Sequence, residues 1–154
     1  MVQLEVAVLN WYNGYSPKER DAMGRVSPAA EPPCAMCGDP GPAKMQTHAE
    51  DYSMPYRWGP PGSYPVCLLC RRRLHSRFHA PSSWKAFLKF LRRGWYAREV
   101  SSGELNRSIR LGDAYPWPEL PHDPPKRDDA NAWWWESLTM DQASRRSPMA
   151  RPRP

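Results

Sequence analysis

The chain has 154 residues, enough for one small domain, and its 19 prolines limit how much of it can pack into a regular core. No apolar run approaches the roughly 18 residues that a membrane span requires. The N-terminus lacks both the basic start and the small-residue cleavage site of a secretory signal peptide. These features argue against a membrane or secreted protein, and they predict a cytoplasmic protein without a membrane partner.

The net charge is +6, and it is concentrated in one segment. Nine basic residues and no acidic one lie from Cys67 to Arg98, so this segment carries +9 and the rest of the chain carries −3. Charge of one sign predicts a polyanion partner, most simply nucleic acid, whereas a solvated helical surface usually mixes both signs. The candidate nucleic-acid contacts are Arg71, Arg72, Arg73, Arg77, Lys85, Lys89, Arg92 and Arg93.

The N-terminal part predicts little regular structure. Residues 2–9 alternate loosely and predict a short strand. A helix is expected from Ser16 to about Gly24, because Ser-Pro-Lys-Glu supplies an N-cap, a proline at the first helical position and a capping-box glutamate. Residues 27–33 contain three prolines and predict an extended linker.

Two Cys-x-x-Cys pairs organise the central segment: Cys34 and Cys37, then Cys67 and Cys70. In a reducing compartment such pairs are metal ligands more often than disulfides. Each tight turn delivers two sulfurs to one ion, and four thiolates close the tetrahedral shell of zinc, so a structural Zn²⁺ is predicted. A redox pair or free buried cysteines are the alternatives, and the repeated motif disfavours both.

The elements around the cysteines follow from local pattern. Residues 44–48 predict a strand that ends at His48, residues 49–65 an irregular proline-rich loop, and residues 71–79 a helix. A clearer helix has Ser82 or Ser83 as its cap and Gly94 as its C-cap. Its apolar residues recur at helical spacing and predict one core-facing stripe of Trp84, Phe87, Leu88 and Leu91.

The last third of the chain is unlike the rest. A short helix is expected at residues 104–111, and the prolines after Tyr115 argue against a packed core. Residues 133–135 are three consecutive tryptophans, which cannot all face water cheaply. This segment is therefore expected to dock on its own domain or on a protein partner.

The order of residues around the second cysteine pair resembles the zinc-supported HNH endonucleases of phages and bacteria. The similarity covers residues 34–79 and lies in the cysteine spacing, in the turn His-Ala-Glu-Asp-Tyr-Ser-Met-Pro (48–55), and in Cys-Leu-Leu-Cys-Arg-Arg-Arg-Leu-His (67–75). The resemblance implies a β-hairpin followed by a helix, the ββα-metal motif. It also implies a catalytic Mg²⁺ or Mn²⁺, double-stranded DNA as substrate, and a bacterial or phage-infected cell as location.

The resemblance also implies the site residues. His48 and His75 would bind the catalytic ion or activate water, and Glu50 and Asp51 would support them. Two positions differ from the family pattern, because Ala49 replaces the second histidine of a His-His pair and Arg71 replaces the first histidine of the helix. Counted from Asp51, His48 falls at the ligand position, and a register shift of one residue makes it the base.

The expected fold is a small α+β protein, with a zinc-stabilised HNH-like core, additional helices and a Pro/Trp-rich C-terminal extension. The expected divisions are an N-terminal strand, helix and linker (1–33), the zinc-bound domain with basic helices (34–112), and a partly disordered extension (113–154). Three functions remain open. They are a metal-dependent DNA endonuclease, an inactive HNH-like zinc module that binds nucleic acid, and a zinc-ordered adaptor that uses its Trp/Pro-rich segment to bind a protein.

Overall fold

The structure is a computed structural model that describes residues 18, 29–49, 59, 62–125, 127 and 132–141. The strand expected at residues 2–9 lies outside these residues, and so does the helix expected at residues 16–24 apart from Lys18. The described residues form a small mixed α/β fold with a two-stranded sheet, three α-helices and a cluster of cysteines. No helix in these ranges has the length and apolar character needed to cross a membrane.

The sheet is an antiparallel pair of strands, β1 (Met45–Ala49) and β2 (Ser63–Cys67). The expected strand at 44–48 is confirmed within one residue. The loop expected through residue 65 is wrong at its end, since Ser63, Tyr64 and Pro65 belong to β2. Pro65 is tolerated because a two-stranded sheet consists of edges, where a strand residue without an N–H leaves no inner ladder bond unmade.

Helix α1 (Leu68–Ser76) begins inside the second cysteine pair, three residues earlier than expected. Cys67 is its N-cap, and its sulfur accepts a hydrogen bond from the backbone N–H of Cys70 at 3.4 Å. The helix ends as a turn, with the N–H of Arg77 bonded to the carbonyl of Leu74. Strand β2 runs directly into α1, and Cys67 and Cys70 lie at this junction.

Helix α2 (Pro81–Arg92) contributes more residues to the apolar core than any other described element. All four residues of the predicted stripe are buried, together with Ala86 and Phe90. The expected serine cap is wrong, because the helix begins at Pro81 and Ser82 and Ser83 lie inside its first turn. Proline suits that position, since its fixed φ is helical and the N–H it lacks would have had no partner.

Helix α3 (Ser102–Leu111) begins two residues before the expected start, because Ser101 accepts a hydrogen bond from the N–H of Glu104 at 3.1 Å. The core continues beyond this helix. Tyr115 is buried, and the Trp117 ring packs edge-on against Phe90 with centroids 4.8 Å apart. The described residues after 115 form no helix or strand, but single aromatic side chains among them join the core.

The tryptophan segment docks on its own chain. Trp135 is fully buried, Trp133 is 6% exposed, and their rings stack with centroids 5.1 Å apart. Trp133 donates its indole N–H to the carbonyl of Pro125 at 2.7 Å. Residues 132–141 are thus held against the core as an irregular strap.

Gly94 has a conformation that only glycine adopts cheaply. Its φ is +84°, and a Cβ built on it would overlap the carbonyl oxygen of His122. We expect Gly94→Ala to lower stability by about 2 kcal/mol or more, since the left-handed backbone alone costs about 1–2 kcal/mol. Thermal melting should show a drop of roughly 10 °C.

Gly103→Ala is the matched control for this substitution. Gly103 lies in the first turn of α3, and its added Cβ would meet only the Ser101 hydroxyl at 4.0 Å. The control should melt at or above the temperature of the wild type. Equal melting temperatures for Gly94→Ala and the wild type would contradict the prediction.

Candidate functional site

The four cysteines converge on one point. Their sulfur atoms all lie within 4.8 Å of one another, all four residues are buried, and the sulfurs of Cys37 and Cys67 are 3.9 Å apart. That separation is far too long for a disulfide, whose S–S bond is about 2.05 Å. It matches the roughly 3.8 Å between two sulfurs that each lie about 2.3 Å from one tetrahedral zinc ion. The cluster therefore has the donor set and the size of a structural metal site.

Backbone N–H groups point at the sulfurs. Cys34 accepts hydrogen bonds from Met36 and Cys37 at 3.4 Å, and one from Cys67 at 3.2 Å. The last bond ties the first cysteine turn to the end of β2. Gly38 closes the first turn with a φ of +81° and donates its N–H to the carbonyl of Cys34. Such donors favour a negatively charged sulfur, as a metal-bound thiolate is.

The cysteines differ in how readily they ionise. Hydrogen bonds from the side chains of Cys37, Cys67 and Cys70 lower the pKa of the Cys34 thiol. Burial raises the pKa of the Cys70 thiol well above its ordinary value, and the neighbouring sulfurs add to the increase. The surroundings thus favour the thiolate form at Cys34 and disfavour it at Cys70. Four thiolates in one cluster need a cation to neutralise their charge, and zinc would supply that cation.

Asp39 supports the first cysteine turn, and sequence reasoning did not single it out. Its buried carboxylate accepts hydrogen bonds from the N–H of Gly41 at 2.9 Å and from the guanidinium of Arg98 at 2.8 Å. Its backbone carbonyl accepts the N–H of Cys34. Arg98, which belongs to the +9 segment, therefore stabilises the cysteine cluster rather than lying unpaired on the surface.

A second cluster lies where the hairpin meets α1. His48, near the end of β1, is 1% exposed, and His75, in the last turn of α1, is half-buried. Their ring centroids are 5.6 Å apart with an interplanar angle of 66°. The structure thus brings together the two histidines that the sequence placed in the candidate catalytic site.

The position of the other two predicted catalytic residues is not described by the structure. Glu50 and Asp51 lie outside the described residues. Ala49 is buried and follows His48 in the strand, so its side chain points to the opposite face of the sheet. Ala49 itself carries no group that could accept a proton.

An aromatic stack covers His48. The Trp134 ring lies 6.2 Å from the His48 ring at 27°, and it stacks on Tyr64 at 4.0 Å and 4°. Tyr64 is the cross-strand partner of His48 in the sheet register. Sequence reasoning flagged the three tryptophans as a group, but it gave no signal that the middle one would reach this site.

The basic segment divides into two groups. Several of its arginines have partners inside the protein: Arg77 is fully buried and donates to the carbonyls of Thr139 and Leu74, both at 2.9 Å. The Arg73 and Arg93 guanidiniums lie over the rings of Phe87 and Trp117. Arg71 is half-buried, with its Nε enclosed. Of these predicted nucleic-acid contacts, Arg73, Arg77 and Arg93 therefore contribute to packing.

The second group remains at the surface. Arg72 is exposed on α1, and Lys85, Lys89 and Arg92 are exposed on α2 at spacings of four and three residues. That spacing puts the three α2 cations on one helix face, over about 10 Å. Arg92 also pairs with Glu136 at 3.2 Å, and its side chain stays 39% exposed. We call Arg72, Lys85, Lys89 and Arg92 the basic face.

The established features are thus a four-cysteine cluster at metal-binding distance, a histidine pair at the junction of hairpin and helix, and an exposed basic face. Comparison with protein-family models finds no match to this chain, and comparisons with curated proteins and with solved structures find none either.

Proposed function

We propose that this protein is a metal-dependent nuclease of the ββα type, with zinc in the four-cysteine cluster and a second divalent ion at His48 and His75. The observation that carries the proposal is the 5.6 Å separation of these two rings at the junction of β1 and α1. The hairpin, the helix that follows it and the cysteine cluster at their base form one unit, and this unit supports the identification.

The ring separation fits a shared ion. A metal–nitrogen distance of about 2.1 Å puts each imidazole centroid about 3.3 Å from the ion, so two such rings lie about 4.7 Å apart at an octahedral angle and about 5.4 Å apart at a tetrahedral one. The observed 5.6 Å is close to this range. Two nitrogens leave room for carboxylate oxygens, and Glu50 and Asp51 lie two and three residues after His48 in sequence. A mixed nitrogen and oxygen set suits Mg²⁺ or Mn²⁺.

The chemistry divides between the ion and the chain. A bound divalent ion stabilises negative charge on the phosphate and lowers the pKa of water. His48 and His75 would hold the ion, and a carboxylate of Glu50 or Asp51 would accept the proton of the attacking water, because Ala49 has no group to do so. Arg71 carries a guanidinium in place of the family histidine, a group suited to a phosphate oxygen pair.

The basic face would bind the phosphate groups of the substrate. Its four cations are exposed, one on α1, which also carries His75, and three on α2. Binding of double-stranded DNA through phosphate contacts weakens steeply with salt, because each contact releases counterions. Lys85→Ala with Lys89→Ala is therefore expected to weaken DNA binding at low salt and to flatten its salt dependence.

Supercoiled plasmid tests the proposal directly. We expect the wild type to nick it in Mg²⁺ or Mn²⁺, and His75→Ala to reduce the nicking rate at least a hundredfold while zinc content is unchanged. His79→Ala is the matched control, because His79 is exposed beyond the end of α1. The proposal fails if nicking survives His75→Ala, or if the wild type nicks plasmid in no divalent ion.

A second function is favoured by one observation, the 1% exposure of His48 together with alanine at position 49. In this alternative the protein is a zinc-ordered module that binds nucleic acid without cutting it. Binding would then be independent of Mg²⁺ and Mn²⁺ and unchanged in His75→Ala, and it would still depend on the basic face. The expected interaction with a protein partner stays a prediction, since the tryptophan segment packs here on its own chain.

A further inference from the structure

We infer that Trp134 is a removable cover over the histidine pair, and that an unpaired base of a nucleic-acid strand takes its place on Tyr64. The inference rests on the proposed function, because it names what opens the same site and which part of the substrate enters it. It also assigns a task to the middle tryptophan that the outer two do not share.

The geometry shows why the ring acts as a cover. Trp134 spans the cross-strand pair of Tyr64 and His48, lying parallel to the first ring and within 27° of the second. Its indole N–H donates to the carbonyl of Ala35 at 2.9 Å, which fixes the ring to the first cysteine turn. With the ring in this position, beside His48, the His48 side chain is 1% exposed.

The attachment of residues 132–141 shows why the ring is removable. Trp133 and Trp135 are buried and stacked on each other, and they anchor this segment independently of Trp134. The carbonyl of Thr139 accepts a bond from Arg77, and Glu136 pairs with Arg92. Trp134 is half-buried and lies between these anchors. Its ring can therefore leave the platform while the backbone on both sides stays docked.

The chemistry of the platform indicates the replacement. Tyr64 offers a flat face that the Trp134 ring covers at 4.0 Å with an angle of 4° between the planes. Every nucleobase has a π-face that stacks on tyrosine, so an incoming base restores the contact that Trp134 gives up. A paired base inside a duplex cannot reach such a platform without leaving its stack. The structure thus favours a strand with an unpaired base as the entering group.

The test compares Trp134→Ala with Trp134→Phe, which keeps a stacking ring but loses the bond to Ala35. Site-resolved mass spectrometry of diethylpyrocarbonate labelling measures the exposure of His48 without reference to activity. We expect labelling at His48 to be at least tenfold faster in Trp134→Ala and near the wild-type rate in Trp134→Phe. A twelve-nucleotide oligothymidylate should bind about tenfold more tightly to Trp134→Ala than to the wild type. Adding Tyr64→Ala to that variant should remove the gain in affinity.

Each outcome decides one part of the inference. Unchanged labelling of His48 in Trp134→Ala, with normal zinc content, overturns the cover. Faster labelling with unchanged oligothymidylate affinity overturns the strand as its replacement. If labelling and affinity both rise but no divalent ion supports nicking, the cover and the platform stand and the nuclease function fails. If the wild type nicks and Trp134→Ala changes neither nicking nor labelling, the nuclease stands and the cover fails.

Discussion

Chelation of zinc is expected to unfold the domain rather than to loosen it. The four-cysteine cluster joins two parts of the chain, the turn at residues 34–37 and the junction of β2 with α1. Structural zinc sites contribute about 10–16 kcal/mol of apparent binding free energy, and a whole small domain has a net stability of about 5–15 kcal/mol. Loss of the metal thus removes as much free energy as the fold possesses.

The measurement has two steps. Elemental analysis should give one zinc per chain, and a chelator strong enough to extract it should abolish the cooperative thermal transition and most of the helical circular dichroism. Cys70→Ser, at a fully buried ligand, should reproduce both effects. Leu69→Ala is the matched control, since Leu69 is the neighbouring residue and is 41% exposed. A metal-free protein that melts like the wild type would show that the cluster does not hold the fold together.

Local pattern predicted the features that depend on short-range order. The cysteine spacing anticipated the cluster, because a Cys-x-x-Cys turn orients its own two sulfurs whatever the rest of the chain does. The stripe on α2 was equally predictable from the sequence, because four apolar residues at helical spacing lie on one face of a helix and are buried together. Strand β2 was missed because Gly62 and Pro65 lower strand propensity, and its pairing with β1 outweighs that preference.

The features that depend on distant contacts were not readable. Trp134 bonds to Ala35 across 99 residues, and no periodicity links the two positions. Arg77 was assigned to the surface on its charge, yet it is fully buried because two backbone carbonyls and the Phe78 ring satisfy its guanidinium. Charge predicts exposure only on average, and a planar cation with enough acceptors can be enclosed. The candidate site was therefore predictable in its ligands, but not in what covers it.

Trp135→Ala is expected to be the most destabilising substitution outside the cysteine cluster. The side chain is 0% exposed and is the largest of the fully buried ones, so its removal leaves a cavity that the surrounding rings cannot fill. Truncation of buried tryptophan costs about 3–5 kcal/mol. Chemical denaturation should show this loss. Zinc content should stay unchanged, because no hydrogen bond among the described residues joins the Trp135 ring to a cysteine sulfur.

Trp135→Phe separates packing from hydrogen bonding at the same position. The indole N–H of Trp135 is buried and has no hydrogen-bond partner among the described residues, which costs about 1–3 kcal/mol. Phenylalanine removes that unpaired group and keeps most of the ring, so the two effects offset each other and the net change should stay below about 1.5 kcal/mol. A loss in Trp135→Phe as large as in Trp135→Ala would mean that the N–H has a partner and that the strap is held by polar contacts. A small loss in both would mean that residues 132–141 are not anchored by this ring, and the fixed backbone that lets Trp134 move alone would be absent.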